Sequence, residues 1–160
     1  MKRTLRSLFF LSVGVIIGGY LFSQSQPRSV LAINQCKDCL SAKDLAGLLA
    51  SAGIQKLPGL IPSVVFETDK TIAIKSPLPE AEIDYVIFPK KDIKNIGEIA
   101  KEDAPYLIDA YLVARHIIEK ENLVHYAIFT NGPGCQKITY LHFHLIVNNH
   151  ASHNSVKKKP

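Results

Sequence analysis

Thr139-Tyr140-Leu141-His142-Phe143-His144-Leu145 decides how this chain is read. Residues two apart on a strand share a face, so Tyr140, His142 and His144 line one side while Leu141, Phe143 and Leu145 line the other. The second set is a core face. The first carries two imidazoles on an otherwise apolar strand, which is either a pair of hydrogen-bonded core histidines or a site. As a site, one imidazole attacks phosphorus while its neighbour contacts the anion, because phosphoryl chemistry depends on positioning and on stabilising charge around the equatorial oxygens.

The final strand extends over Ile138 to Val147, and Asn131-Gly132-Pro133-Gly134 joins it to a strand at Leu123 to Thr130. Upstream, two β-branched runs within Ser63 to Lys75 predict a hairpin turning at Glu67-Thr68-Asp69-Lys70. A Pro-punctuated turn at Ser76 to Glu80 leads to a strand at Ile83 to Phe88, ended by Pro89. Asp103-Ala104-Pro105 opens a long helix running to about Lys120, with Leu107, Ile108, Tyr111, Leu112 and Ile118 at helical spacing. Ser41-Ala42-Lys43-Asp44 is a capping box for a short helix through Ala52, stopped by Gly53. The expected fold is α+β: one antiparallel sheet of about five strands, one long helix on a face, and a short amino-terminal helix.

The 160 residues are 47% apolar and 21% charged, the composition of one globular domain with a short extension. Collagen, a disordered tail and a disulfide-dense mini-protein are excluded. Of 19 Lys and Arg, four precede residue 32 and three lie in the last four residues, leaving 12 against 14 acids in between. The body is slightly acidic, so no nucleic-acid partner is expected.

Lys2, Arg3 and Arg6 precede an uncharged stretch from Ser7 to Gln24, the layout of a secretory signal or a signal anchor. The apolar run Leu8 to Phe22 has 15 residues against the roughly 20 of a bilayer span. Two readings therefore stand: a retained anchor through residues 5–23, or a signal cleaved after small residues near Val30-Leu31-Ala32. Both place the domain outside the cytoplasm, membrane-anchored in one case and secreted or periplasmic in the other. The expected division is a leader over 1–32, a domain over 33–149 and a polar basic tail over 150–160. Of the three cysteines, Cys36 and Cys39 have the spacing of half a zinc site, of a redox dithiol, or of two small buried residues.

The order of these pieces resembles the histidine triad family of nucleotide hydrolases and transferases. The likeness runs from Cys36 and Cys39 through Pro62, Ser63, Val65, Glu67 and Asp69 on the hairpin. It continues with Val86-Ile87-Phe88-Pro89-Lys90-Lys91 and the long helix, then Asn131-Gly132, Gly134, Gln136, Ile138 and Tyr140-Leu141-His142-Phe143-His144. The resemblance implies that His142, the middle histidine of His-x-His-x-His, attacks the α-phosphorus to form a nucleotidyl-histidine. It gives His144, Asn131 and Gln136 the phosphate, with Lys137 beside them in place of a Ser or Thr that helps the leaving group. It also implies a homodimer through the long helix and a sheet edge.

Three family histidines are replaced, by Asp84, Asp92 and Tyr140. Zinc-containing members hold the metal with the cysteine pair and the histidines at the positions of Asp92 and Tyr140. No zinc or other cofactor is expected, and a Cys36 to Cys39 disulfide is the preferred state of the pair. The first functional expectation is a nucleotide phosphodiester or pyrophosphate hydrolase, or a nucleotidyl transferase, with a covalent His142 intermediate. Since lipid-linked nucleotides are present at membranes, a nucleotide-linked lipid is a candidate substrate. The alternative is a catalytically degenerate module that binds a nucleotide or a partner.

Overall fold

Strands rich in β-branched and aromatic residues form one antiparallel sheet. They are β1 (Val64–Glu67), β2 (Thr71–Lys75), β3 (Ile83–Pro89), β4 (Ala127–Phe129) and β5 (Phe143–Val147), in the order β1-β2-β3-β5-β4. Among the described residues three α-helices accompany them: α1 (Lys2–Phe22), α2 (Ala42–Lys56) and α3 (Ala104–Glu121). The computed structural model describes residues 2–26 and 41–147. Cys36 and Cys39, the expected boundary near residue 32 and the basic tail lie outside the described residues.

The sheet has a core on each face. Ala73, Tyr85, Ile87, Leu141, Phe143 and Leu145 meet Ala110, Val113, Ala114 and Ile117 of α3 on one side. On the other, Ile72, Val86, Phe88 and Tyr140 pack with Ile54 of α2. The alternation read from Tyr140 to Leu145 therefore holds, with Tyr140 and Leu141 falling in opposite layers. Pro105 sits in the first turn of α3, where its missing N–H leaves nothing unsatisfied, and Asn122 closes the helix in the left-handed conformation.

Three element boundaries differ from expectation. Gly53 does not stop α2, which continues to Lys56 with Leu57 N–H donating to the Gly53 carbonyl. The stop comes from Pro58, which lacks an N–H and bars helical backbone at Leu57 before it. The last strand begins at Phe143 rather than Ile138 because upstream backbone donors go elsewhere. Thr139 N–H reaches the Lys43 carbonyl at 3.2 Å, and Leu141 N–H reaches the Ile93 carbonyl at 2.6 Å. Strand β4 shortens to three residues, ending where Phe129 pairs with His144 near the start of β5.

Ser41 caps α2 as expected: its hydroxyl accepts from Asp44 N–H at 3.1 Å and donates to the Asp44 carboxylate at 2.6 Å. The other Asp44 oxygen accepts from the Thr139 hydroxyl at 2.9 Å, which fastens α2 to the chain just before the histidines. Gly47 lets the two backbones touch. A Cβ there would stand 2.5 Å from the Thr139 carbonyl oxygen.

Helix α1 is longer than the 15-residue apolar run because Lys2 to Ser7 join it. Thr4–Phe22 is, by length and composition, able to cross a membrane. Its large apolar side chains from Leu5 to Tyr20 are exposed, apart from the half-buried Val13. Beyond it, Gln26 N–H donates to the Asp92 carboxylate at 2.7 Å and the Ser25 and Ser51 hydroxyls lie 3.1 Å apart, so the chain leaving α1 is bonded to the domain.

Gly47→Ala is expected to lower stability by about 1–3 kcal/mol, since the backbone it meets cannot yield as a side chain would. Gly53→Ala, with open space around its Cβ, is expected to raise stability by about 0.5–1 kcal/mol through helix propensity. Urea unfolding midpoints check both, and the opposite order would contradict this packing.

Candidate active site

His142 occupies the bend leading into β5, and its ring orientation comes from the backbone beside it. Its Nδ1 lies 2.7 Å from the Tyr140 carbonyl oxygen. A carbonyl only accepts, so Nδ1 carries the proton and a neutral ring keeps its lone pair on Nε2, the tautomer a nucleophile requires. The residue is 5% exposed. Burial, above all, pushes the imidazole below its ordinary pKa, and the neighbouring His144 acts in the same direction; the bond to the Tyr140 carbonyl opposes them. Its ring centre stands 5.6 Å from Phe88 and 5.2 Å from His144, edge to face with the latter.

His144, on β5, is held from three sides. Its Nδ1 lies 3.0 Å from the carboxylate of Asp84, its ring stacks on Phe129 at 5.1 Å, and His142 meets it edge-on. Asp84 projects from β3 two residues before Val86, which lies opposite His144. This carboxylate is 1% exposed, and its second oxygen accepts the Glu80 backbone N–H at 3.0 Å. Two donors thus compensate a charge that burial would otherwise make costly. Glu80 in turn takes the Lys137 ammonium at 2.9 Å, which holds the Glu80 carboxyl below the usual carboxylate range.

The remaining expected residues divide. Gln136 is buried, and its side-chain amide donates to the Lys94 carbonyl at 3.1 Å and, more weakly, to the Tyr140 carbonyl at 3.5 Å. It therefore shares with His142 the carbonyl that orients the nucleophile. Lys137 is on the surface with Glu80. Asn131 is half-buried just beyond β4, and among the described residues no hydrogen bond joins it to either imidazole. Glu80 carries no signal in the sequence; only the return of its loop over Asp84 brings it to the histidines.

The replaced positions have other work. Tyr140 is fully buried and donates its hydroxyl to the Pro89 carbonyl at 2.7 Å and to that of Lys91 at 3.2 Å. Asp92, also buried, accepts from the Ser51 hydroxyl at 2.9 Å as well as from Gln26. A phenol donating to carbonyls and a carboxylate bonded to a serine and an amide do not fit a zinc ion. Among the described residues no group of three or more His, Cys, Asp or Glu could hold a metal.

Next to this centre runs an apolar cleft of about 220 Å³ between α2 and β2, lined by Ala50, Gly53, Ile54, Ile61, Ile74 and Phe88. Phe88 connects the two features, forming a wall of the cleft while packing against the His142 ring. Gly53 lies in a helix but has open space beside it, so the missing side chain leaves the cleft unfilled.

The scavenger mRNA decapping enzyme C-term binding family matches residues 60–159, which include both histidines. An uncharacterized HIT-like protein of Chlamydia trachomatis is 35% identical over 88 residues, 51% of this chain and 77% of that protein. One from Synechococcus elongatus is 29% identical over 86 residues, 52% of this chain and 75% of its own length. Among solved structures, a HIT family hydrolase from Legionella pneumophila superposes with a TM-score of 0.56 at 26% identity, covering 63% of this chain and 95% of its own. The sheet order, the buried histidine pair and these likenesses lead to one conclusion: this chain belongs to the histidine triad family, with a fold like that of the family's hydrolases.

Proposed function

We propose that this protein is a nucleotide hydrolase or nucleotidyl transferase that works through a covalent nucleotidyl-His142 intermediate. The observation that carries this reading is the 2.7 Å contact of His142 Nδ1 with the Tyr140 carbonyl, which leaves Nε2 as the nucleophile. The lone pair on Nε2 attacks the α-phosphorus and the bond to the leaving group breaks. Nδ1 keeps its proton on the carbonyl, stabilising the cationic ring that forms. Water or another acceptor then displaces the imidazole, forming a new P–O bond as the P–N bond breaks.

The apolar cleft takes the base, with Phe88 setting the distance between base and nucleophile. Helix α1 is a membrane anchor in this reading, and the substrate is a nucleotide-linked lipid met outside the cytoplasm. The second reading, a binding module without turnover, draws on Tyr140: its hydroxyl is engaged with two carbonyls and relays no proton to His142. The exposed Ile108, Tyr111 and Leu112 of α3 support a homodimer.

Intact-mass analysis of rapidly quenched mixtures with CDP-lipid, dinucleoside polyphosphates and nucleoside phosphoramidates tests the intermediate. The expected result is a nucleotidyl adduct that His142→Ala abolishes. Absence of both adduct and product across the panel would favour the binding module. Gly53→Leu is expected to fill the cleft and weaken nucleotide binding by about 1–3 kcal/mol, measured by calorimetry. Because burial favours neutral His142, adduct formation is expected to persist below the ordinary imidazole value of about 6.5 and to fall only where Nε2 takes a proton. The same linkage makes the folded state lose stability as pH falls through 6.5, since the unfolded chain binds that proton first. A quench-flow pH series and urea unfolding at each pH check the two limbs.

A further inference from the structure

We propose that His144 is the acid and base of the reaction, with Asp84 as the residue that positions it. The proposal rests on the covalent reading above and says which group moves the proton. Position 140 offers none, because the Tyr140 hydroxyl is fully buried and donates to the Pro89 and Lys91 carbonyls. His144 stands 5.2 Å from the His142 ring, centre to centre, and is the neighbouring side chain with a transferable proton. Its Nδ1 is bonded to Asp84, so Nε2 is the nitrogen that remains for substrate. A carboxylate at Nδ1 stabilises the imidazolium and fixes which nitrogen gives up its proton.

The balance is complete. As His142 Nε2 forms its bond to phosphorus and the P–O bond to the leaving group breaks, the proton on His144 Nε2 passes to the departing oxygen. The neutral His144 that results keeps Nδ1–H on Asp84. It then takes a proton from the attacking water as the P–N bond breaks, returning to the imidazolium. No co-reactant is needed. The two imidazoles differ in their surroundings. Burial disfavours a proton on His142, whose Nδ1 meets a neutral carbonyl, whereas His144 meets a carboxylate.

The charged and titratable groups facing His144 are Asp84 of β3, His142 at the entry to β5 and Glu80 of the preceding loop. Lys137 pairs with Glu80, and Phe129 of β4 adds a neutral face. Asp84 is therefore the charge in direct contact with the ring. Its second oxygen, bonded to Glu80 N–H, keeps the carboxylate from turning away.

Leaving-group dependence tests the assignment. Matched p-nitrophenyl and n-butyl phosphodiesters of AMP, CMP, GMP and UMP are turned over by the full-length chain, by His144→Ala and by Asp84→Asn. p-Nitrophenolate departs without a proton and butoxide does not. His144→Ala is expected to lose about 100-fold or more on the butyl esters and far less on the aryl esters. The ratio is internal to each protein, so a partly unfolded variant still reports. Asp84→Asn, which can still accept from Nδ1–H but lacks the carboxylate, is expected to lower kcat on the butyl esters more than on the aryl esters while KM stays unchanged on both. Equal losses on the two ester types, with His142→Ala still inactive, overturn the acid role alone. Turnover of neither type by the unsubstituted chain overturns the covalent reading and this assignment together.

Discussion

The stretch from Thr139 to His142 cannot join the sheet, because its backbone donors are taken by other parts of the chain. Thr139 bonds to α2 through both its N–H and its hydroxyl, and Leu141 N–H bonds to Ile93. The chain therefore bends before it enters β5, and the bend lets the Tyr140 carbonyl meet the His142 ring two residues on. A regular strand would direct that carbonyl sideways into the ladder. Tautomer, nucleophilic nitrogen and the place of Gln136 all depend on this departure, which Gly47 permits by letting α2 come against Thr139.

The three positions where family histidines are replaced each have a physical role of their own. Asp84 brings a buried charge to His144, Tyr140 ties the bend to the end of β3, and Asp92 joins α2 to the segment that follows α1. The last arrangement couples the segment that follows the apolar helix to the domain. Buried carboxylates are tolerated here because each has at least two donors: an imidazole and an N–H for Asp84, a hydroxyl and an N–H for Asp92.

The alternation from Tyr140 to Leu145, the β-branched hairpin and the Pro105 helix start were legible because each rests on local chemistry: side-chain period, turn composition, a missing N–H. Gly53 misled because glycine ends helices only where the next residues allow it, and the barrier was Pro58, five residues on. The early end of the final strand was hidden because it depends on partners distant in sequence, Lys43 and Ile93. The two imidazoles were readable as neighbours, but which nitrogen of each is engaged was not. Glu80, the inward turn of Gln136 and the cleft beside Phe88 come from loops and helices folding back on the sheet, and none has a local pattern that announces it.

The central claim is that a backbone carbonyl aims a neutral His142 with its lone pair on Nε2. Nitrogen-15 NMR of the histidine side chains at neutral pH tests it most directly, since a protonated and an unprotonated ring nitrogen differ widely in shift. A pyrrole-like Nδ1 and a pyridine-like Nε2 are expected for His142, with both signals lost when the residue is substituted. A pyridine-like Nδ1, or protons on both nitrogens at that pH, would contradict it.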